Sequence, residues 1–181
     1  MSSRLITVPT LSLLMVVVAA SACAPVPGQE VPYVVTPLPV VDAMLELAAV
    51  GRDDVVYDLG SGDGRIVIAA ARDHGARGVG IEIDPRLVAE STRHAEQAGV
   101  GSRTRFTTED FFQADLSPAT VVTLYLTREL NLRLRAKLRA ELKPGSRIVS
   151  HRFDMGDWKP ERRITLDVDD RTYVIYLWRI R

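Results

Sequence analysis

The chain has 181 residues, 46% of them hydrophobic and 25% charged, enough for one domain with a real core and too few for two. Lys plus Arg and Asp plus Glu number 23 each, so no bulk charge draws the chain to polyanions, and no nucleic-acid partner is expected. One cysteine excludes an internal disulfide and a thiolate metal cluster, and His74, His94 and His151 share no ligand spacing, so no metal is expected.

Residues 1–23 read as a leader or an anchor. Arg4 precedes an apolar run from Leu11 to Ala20, and small residues then lead to Cys23. This is a secretory signal pattern, and a cysteine after small residues resembles a bacterial lipidation site. The run is short for a membrane span; only the whole stretch from Leu5 to Ala24 reaches a marginal one. The segment is expected to associate the protein with a membrane, either as a cleaved, lipidated leader at Cys23 or as an uncleaved anchor. After Arg4 no Lys or Arg occurs before Arg52, which agrees with export. Residues 24–32 are a Pro-rich linker, and residues 33–181 are expected to form the domain.

Val40, Val41, Met44, Leu45 and Ala48 follow helical spacing, with Pro39 suited to the first turn and Gly51 to the stop. Val55–Leu59 reads as a buried strand that breaks into Gly60-Ser61-Gly62-Asp63-Gly64 and reopens as a helix over 65–74. Glycine tolerates positive φ and lets backbone approach a ligand closely. The spacing is Gly-x-Gly-x-Gly after an acid, not the G-x-G-x-x-G of dinucleotide sites. A pyrophosphate wants helix N–H groups and no nearby negative charge, so Asp58 at the strand end points to a ligand carrying positive charge there. S-adenosylmethionine (SAM), with its ammonium and sulfonium, fits. Taken alone, Asp58 has a plainer, weaker reading as a turn residue.

The next strand, Val79–Ile83, carries Glu82 about twenty residues beyond the first glycine, the distance of a ribose-binding carboxylate. Glu82 is expected to accept from both ribose hydroxyls. Pro85 starts a helix to about Ala98. The strand Arg105–Thr108 leads to Asp110, placed to accept from the adenine amino group, with Phe111 and Phe112 as apolar surface for the base. Three acids at three successive strand ends are far more specific than any one.

Strand Val121–Leu126 contains Tyr125. A helix with Leu130, Leu134, Leu138 and Leu142 follows, ended by Lys143-Pro144-Gly145; its basic residues alternate with leucines and read as a solvated face. Strand Arg147–Ser150 comes next. Alternation of this kind means an α/β fold with a parallel sheet and helices on both faces. The last two strands, Arg163–Leu166 and Tyr173–Trp178, lie too close in sequence for a crossover and must form a hairpin. An antiparallel hairpin closing an otherwise parallel, seven-stranded Rossmann-like sheet is the mark of class I methyltransferases.

Five segments carry a family resemblance: 31–37 (Val-Pro-Tyr-Val-Val-Thr-Pro), 57–65, 80–85, 121–126 and 150–158. On them, residues 31–158 resemble the ATP synthase c-subunit lysine methyltransferases and their prokaryotic relatives. The resemblance implies SAM-dependent methylation, with protein lysine as the acceptor of the eukaryotic members, which also carry an N-terminal membrane segment. Gly60, Ser61, Gly62, Gly64, Asp58, Glu82, Asp110 and Phe111 are then the candidate cofactor site, with Tyr33 and Thr36 closing over the methionine end. Acceptor-side residues are expected at the ends of the fourth and fifth parallel strands. There Tyr125 would orient an amine, His151 or Asp154 would accept a proton, and Trp158 would wall the channel. Each also has a plainer reading: Tyr125 as a core aromatic, His151 as a strand-end surface residue, Asp154 as a turn cap and Trp158 as packing. Other readings are a small-molecule, lipid or RNA methyltransferase on the same fold, and an exported, noncatalytic binding module. SAM is a cytosolic metabolite, which conflicts with export; the cofactor signals are several and independent, and outweigh the topology.

Overall fold

A computed structural model describes residues 34–181. The leader-like segment, the Pro-rich linker and Tyr33 lie outside the described residues. No helix among the described residues is long and apolar enough to cross a membrane.

The elements run α1 (Leu38–Leu47), β1 (Val55–Leu59), α2 (Arg65–His74), β2 (Arg77–Glu82), α3 (Pro85–Gln97), β3 (Thr104–Thr108), β4 (Val121–Leu124), α4 (Arg128–Glu141), β5 (Arg147–His151), β6 (Arg162–Val168) and β7 (Arg171–Arg179). They build one seven-stranded sheet in the order β3-β2-β1-β4-β5-β7-β6. The first five strands are parallel, and β7 runs antiparallel to both β5 and β6. The order reverses between β1 and β4, so a crevice opens beside the carboxyl end of β1, where open α/β sheets bind ligands.

Helix ends follow local chemistry. Asp84 caps α3 by accepting from Arg86 N at 2.9 Å, with Pro85 in the first turn. Thr127 caps α4 through Leu130 N at 3.2 Å. The first helix departs from expectation at its stop. Ala49, not Gly51, takes the left-handed position at φ 50°, and Val50 N reaches back to Leu45 O. Gly51 N instead bonds to Asp54 Oδ2. The hairpin is tighter than the polar stretch 167–172 suggests. Only Asp169 and Asp170 lie outside the ladder, at φ 47° and 59°, the two-residue turn whose twist suits a hairpin and which Asp tolerates.

Side-chain alternation divides the core in two. Val56, Val121, Val149, Ile175 and Leu177 face α1 and α2. Leu59, Val122, Leu124, Ile148 and Trp178 face the Leu130, Leu134 and Leu138 stripe of α4. The helices are unevenly shared: α1, α2 and α3 cover one face, and the other has α4 with irregular backbone from 109–119 and 152–158.

Candidate active site

Strand β1 ends at Leu59 and enters Gly60, Gly62 and Gly64 at φ 77°, 52° and 81°, a region that L side chains rarely adopt. Gly60 N and Ser61 N both donate to Ile81 O, at 2.8 and 3.1 Å, so the turn is stitched to β2. It also lies close on Gly80 of β2: a Cβ there would sit 2.6 Å from Ser61 Oγ and 2.7 Å from Phe106 Cε1. Gly64 then opens α2.

The three acids differ in their surroundings. Asp58 is buried and accepts from Thr123 Oγ1 at 2.7 Å. Burial pushes its carboxyl up to about 7; the Thr123 hydrogen bond opposes this, and the negative charges of Glu82 and Asp63 add to it. Glu82 is also buried. Its Oε2 accepts from Gly62 N at 3.0 Å, and its Oε1 from Ile83 N and Asp84 N at 2.8 and 3.0 Å. A carboxylate offers about four lone-pair sites. One remains, so Glu82 has room for one ribose hydroxyl rather than two. Asp110 is exposed at the end of β3, where its Oδ1 accepts from Phe112 N and caps a turn. Phe111 stays partly buried against the α4-side core.

A fourth acid, Asp63, forms a fork with Arg65 at 2.5 Å. Burial would raise its carboxyl, but the Arg65 hydrogen bonds and charge outweigh this and hold it below the usual range. Arg65 Nη1 also donates to Thr36 O at 2.8 Å, tying the segment before α1 over the glycine turn. Val34, Val35, Thr36, Gly60–Gly62, Tyr125 and Leu126 enclose a cavity of about 70 Å³ with that ion pair. This is well below the ~300 Å³ or more of ordinary ligand pockets, so it has room for one end of a ligand and not for a whole nucleoside. Ser61 Oγ on its wall is buried without a hydrogen-bond partner.

Tyr125 forms the β4 side of this cavity, with its ring 4.0 Å from the His151 imidazole. His151 is 1% exposed, and its Nδ1 is buried and unpartnered. Burial, helped by the Arg152 charge, pushes its pKa down to about 4, so the ring is neutral near pH 7. Asp154 takes the turn role: its Oδ1 accepts from Gly156 N at 2.9 Å and from Arg128 Nε at 3.2 Å, and it is not among the cavity-lining residues. Trp158 lies elsewhere. The chain after β5 descends over the α4 face, and Trp158 packs against Trp178 and beneath Arg139, toward the amino ends of the parallel strands. It walls no channel at the opposite end.

Sequence reasoning missed Thr123, Arg65 and Gly80. Thr123 was legible as the one small hydroxyl in an otherwise apolar strand, and the register sets it beside Asp58. Arg65 pairs locally with Asp63, but its hold on Thr36 O, like the approach of Gly80 to Ser61, is a long-range contact that no local pattern announces.

A glycine turn, acids at the ends of β1 and β2 and an antiparallel final hairpin define a class I SAM-dependent methyltransferase. A model of the ANTKMT methyltransferase domain matches residues 58–162, and the chain belongs to that family. A protein-lysine N-methyltransferase from Saccharolobus islandicus is 45% identical over 83% of this chain and 94% of its own. The mouse adenine nucleotide translocase lysine N-methyltransferase is 37% identical over 72% of this chain but only 57% of its own length. A solved RNA methyltransferase from Salinibacter ruber, in complex with S-adenosyl-L-homocysteine, is 57% identical, with a TM-score of 0.77 over 81% of this chain and 94% of that one. SAM is the cofactor, and the residues present fit it. Ser61, which lines the cavity, has its Oγ buried without a hydrogen-bond partner, and the buried Asp58 has no cationic partner among the described residues.

Proposed function

We propose that the protein methylates the side-chain amine of lysine in a protein acceptor. The carrying observation is the acceptor side of the cavity, where Tyr125 lies tilted against a buried imidazole, ring centres 4.0 Å apart, that is uncharged near neutral pH. An unperturbed lysine is protonated at pH 7, and its nitrogen attacks only when neutral. A desolvated aromatic wall favours the neutral amine and tolerates the cation on its way in. The names of the Saccharolobus islandicus and mouse relatives support the same acceptor.

SAM supplies a methyl carbon already activated by its sulfonium. The protein's own work is therefore positioning. In this reading the backbone of Gly60, Ser61, Gly62 and Gly64 cradles the methionine end, with Thr36 and Tyr33 closing over it. Asp58 takes the ammonium, Glu82 one ribose hydroxyl, and Asp110 with Phe111 the adenine. Tyr125 holds the amine in line. The nitrogen–methyl bond would form as the sulfur–methyl bond breaks, the sulfur keeping that bonding pair and the product nitrogen taking the positive charge. The lysine's proton is lost to solvent as the side chain enters: His151, held near 4 by burial, is too weak a base to take it and serves as the uncharged wall, and Asp154 Oδ1 is engaged at the turn.

A second acceptor, RNA, is favoured by the name of the Salinibacter ruber protein and by the arginines along α4. Transfer from methyl-labelled SAM by the full chain, offered basic proteins and total RNA, separates the two. Label recovered as methyllysine after hydrolysis is expected; label in nucleosides alone overturns the lysine reading. Membrane association through residues 1–23 is part of the same proposal. Fractionation with and without that segment tests it, with the domain expected in the membrane pellet only when the segment is present.

A further inference from the structure

The row of rings that begins at the cavity does not end at His151. Tyr173 of β7 lies 5.5 Å beyond it, tilted by 44°, and is only partly buried. Tyr125, His151 and Tyr173 thus form a continuous aromatic path from the cavity wall, across the carboxyl ends of β4 and β5, to the C-terminal hairpin. The backbone there is unusual. Arg152 sits at φ 71°, and Phe153 N bonds to His151 O at 2.9 Å, closing a γ-turn of the rare, strained positive-φ kind. Strand β7 holds that turn: Arg152 N donates to Val174 O at 2.7 Å, and His151 pairs in register with Ile175. The hairpin therefore fixes the imidazole and presents the next ring along the path. A merely structural strand end requires neither the strained turn nor a buried imidazole nitrogen without a partner.

We propose that Tyr173 is the outer wall of the acceptor channel, a specificity-determining residue that touches the shaft of the incoming side chain. The C-terminal hairpin, not the parallel half of the sheet, then sets which acceptors reach the methyl group. This rests on the transferase reading above and deepens its acceptor side. Acceptor recognition and cofactor binding are thereby placed on different elements: the glycine turn, β2 and β3 for one, β5 and β7 for the other. A change at Tyr173 moves acceptor kinetics and leaves cofactor affinity alone.

The test uses the full chain and the acceptor that the wild type labels best. Tyr173→Leu keeps apolar bulk against Leu166 and the α1-side core but removes the ring; Tyr173→Phe keeps the ring. Tyr176→Phe, on the opposite face of β7 against Trp178, is the control. For Tyr173→Leu, kcat/KM for the acceptor is expected to fall at least tenfold, while the Kd for S-adenosyl-L-homocysteine stays within twofold. Tyr173→Phe should recover most of the loss, and Tyr176→Phe should match the wild type. Unchanged acceptor kinetics in Tyr173→Leu, or a cofactor Kd that weakens in step with kcat/KM, overturns the channel. A wild type that labels only RNA overturns the lysine reading instead, and the same three variants assayed on RNA still decide whether Tyr173 faces the acceptor.

Discussion

Cofactor binding should be gated by protonation of Asp58. The carboxyl is buried against Thr123 and lies near Glu82 and Asp63, and its pKa in the empty site is about 7. An ammonium ligand binds the ionised form. With a pKa of 7, the ionised fraction is about 0.09 at pH 6.0 and about 0.76 at pH 7.5, a rise of about eightfold across that interval. An α-amino group titrates at roughly 7.7–8.0, so the ligand's own cationic fraction falls to about 0.6–0.8 at pH 7.5, and affinity should rise about five- to sixfold. Stability of the empty domain should move the other way. A pKa raised on folding contributes stability that is complete below the unfolded carboxylate value and is lost as pH rises through about 7. Calorimetric titration of S-adenosyl-L-homocysteine at pH 6.0 and 7.5, in two buffers of different ionisation enthalpy, reads both affinity and proton release. Asp58→Asn should flatten the dependence. A wild-type affinity constant across the interval, with no proton released, refutes the assignment of the ammonium to Asp58.

Three further outcomes follow from the geometry. Gly80→Ala places a methyl group 2.6 Å from Ser61 Oγ; overpacking of this kind costs about 1–3 kcal/mol, which thermal melts should show as a drop of roughly 3–10 °C, and an unchanged melt would mean the turn is not held against β2. His151 has a pKa lowered on folding, so its contribution to stability is present above about 6.5 and is lost as pH falls toward 4; in denaturant melts the wild type should lose stability relative to His151→Phe as the pH falls through that window, and parallel pH dependences would place the imidazole in water. Tyr125→Phe should lower kcat more than it weakens cofactor binding, because the proposed role of its hydroxyl is to orient the acceptor amine; equal kcat values would remove Tyr125 from the mechanism.

Much of the architecture was legible because each element carried a local signature. The β1 strand, the glycine turn and the start of α2 are written in consecutive residues, and the short spacing of the last two strands forced a hairpin. Boundaries slipped where a residue broke its own preference. Ala49 adopts a left-handed conformation beside an available Gly51 because the bond from Val50 N to Leu45 O closes the helix there. The acceptor side was harder. Tyr125 and His151 were named from strand ends alone, and the structure brings them together. Asp154 and Trp158 followed the same rule, but the path of the chain after β5 decides their fate. The γ-turn at Arg152 sends that chain down the α4 face, leaving Asp154 to cap a turn and Trp158 to pack against Trp178. Tyr173 reaches the row only through the antiparallel pairing of β7 with β5, a long-range register that the sequence does not display.

The most direct measurement is calorimetric titration of S-adenosyl-L-homocysteine into the full chain and into Asp58→Ala and Glu82→Ala variants whose circular dichroism confirms the fold. One saturable site in the wild type and none in either variant is predicted. Micromolar binding retained by both variants, or no binding by the folded wild type, contradicts the site at the ends of β1 and β2.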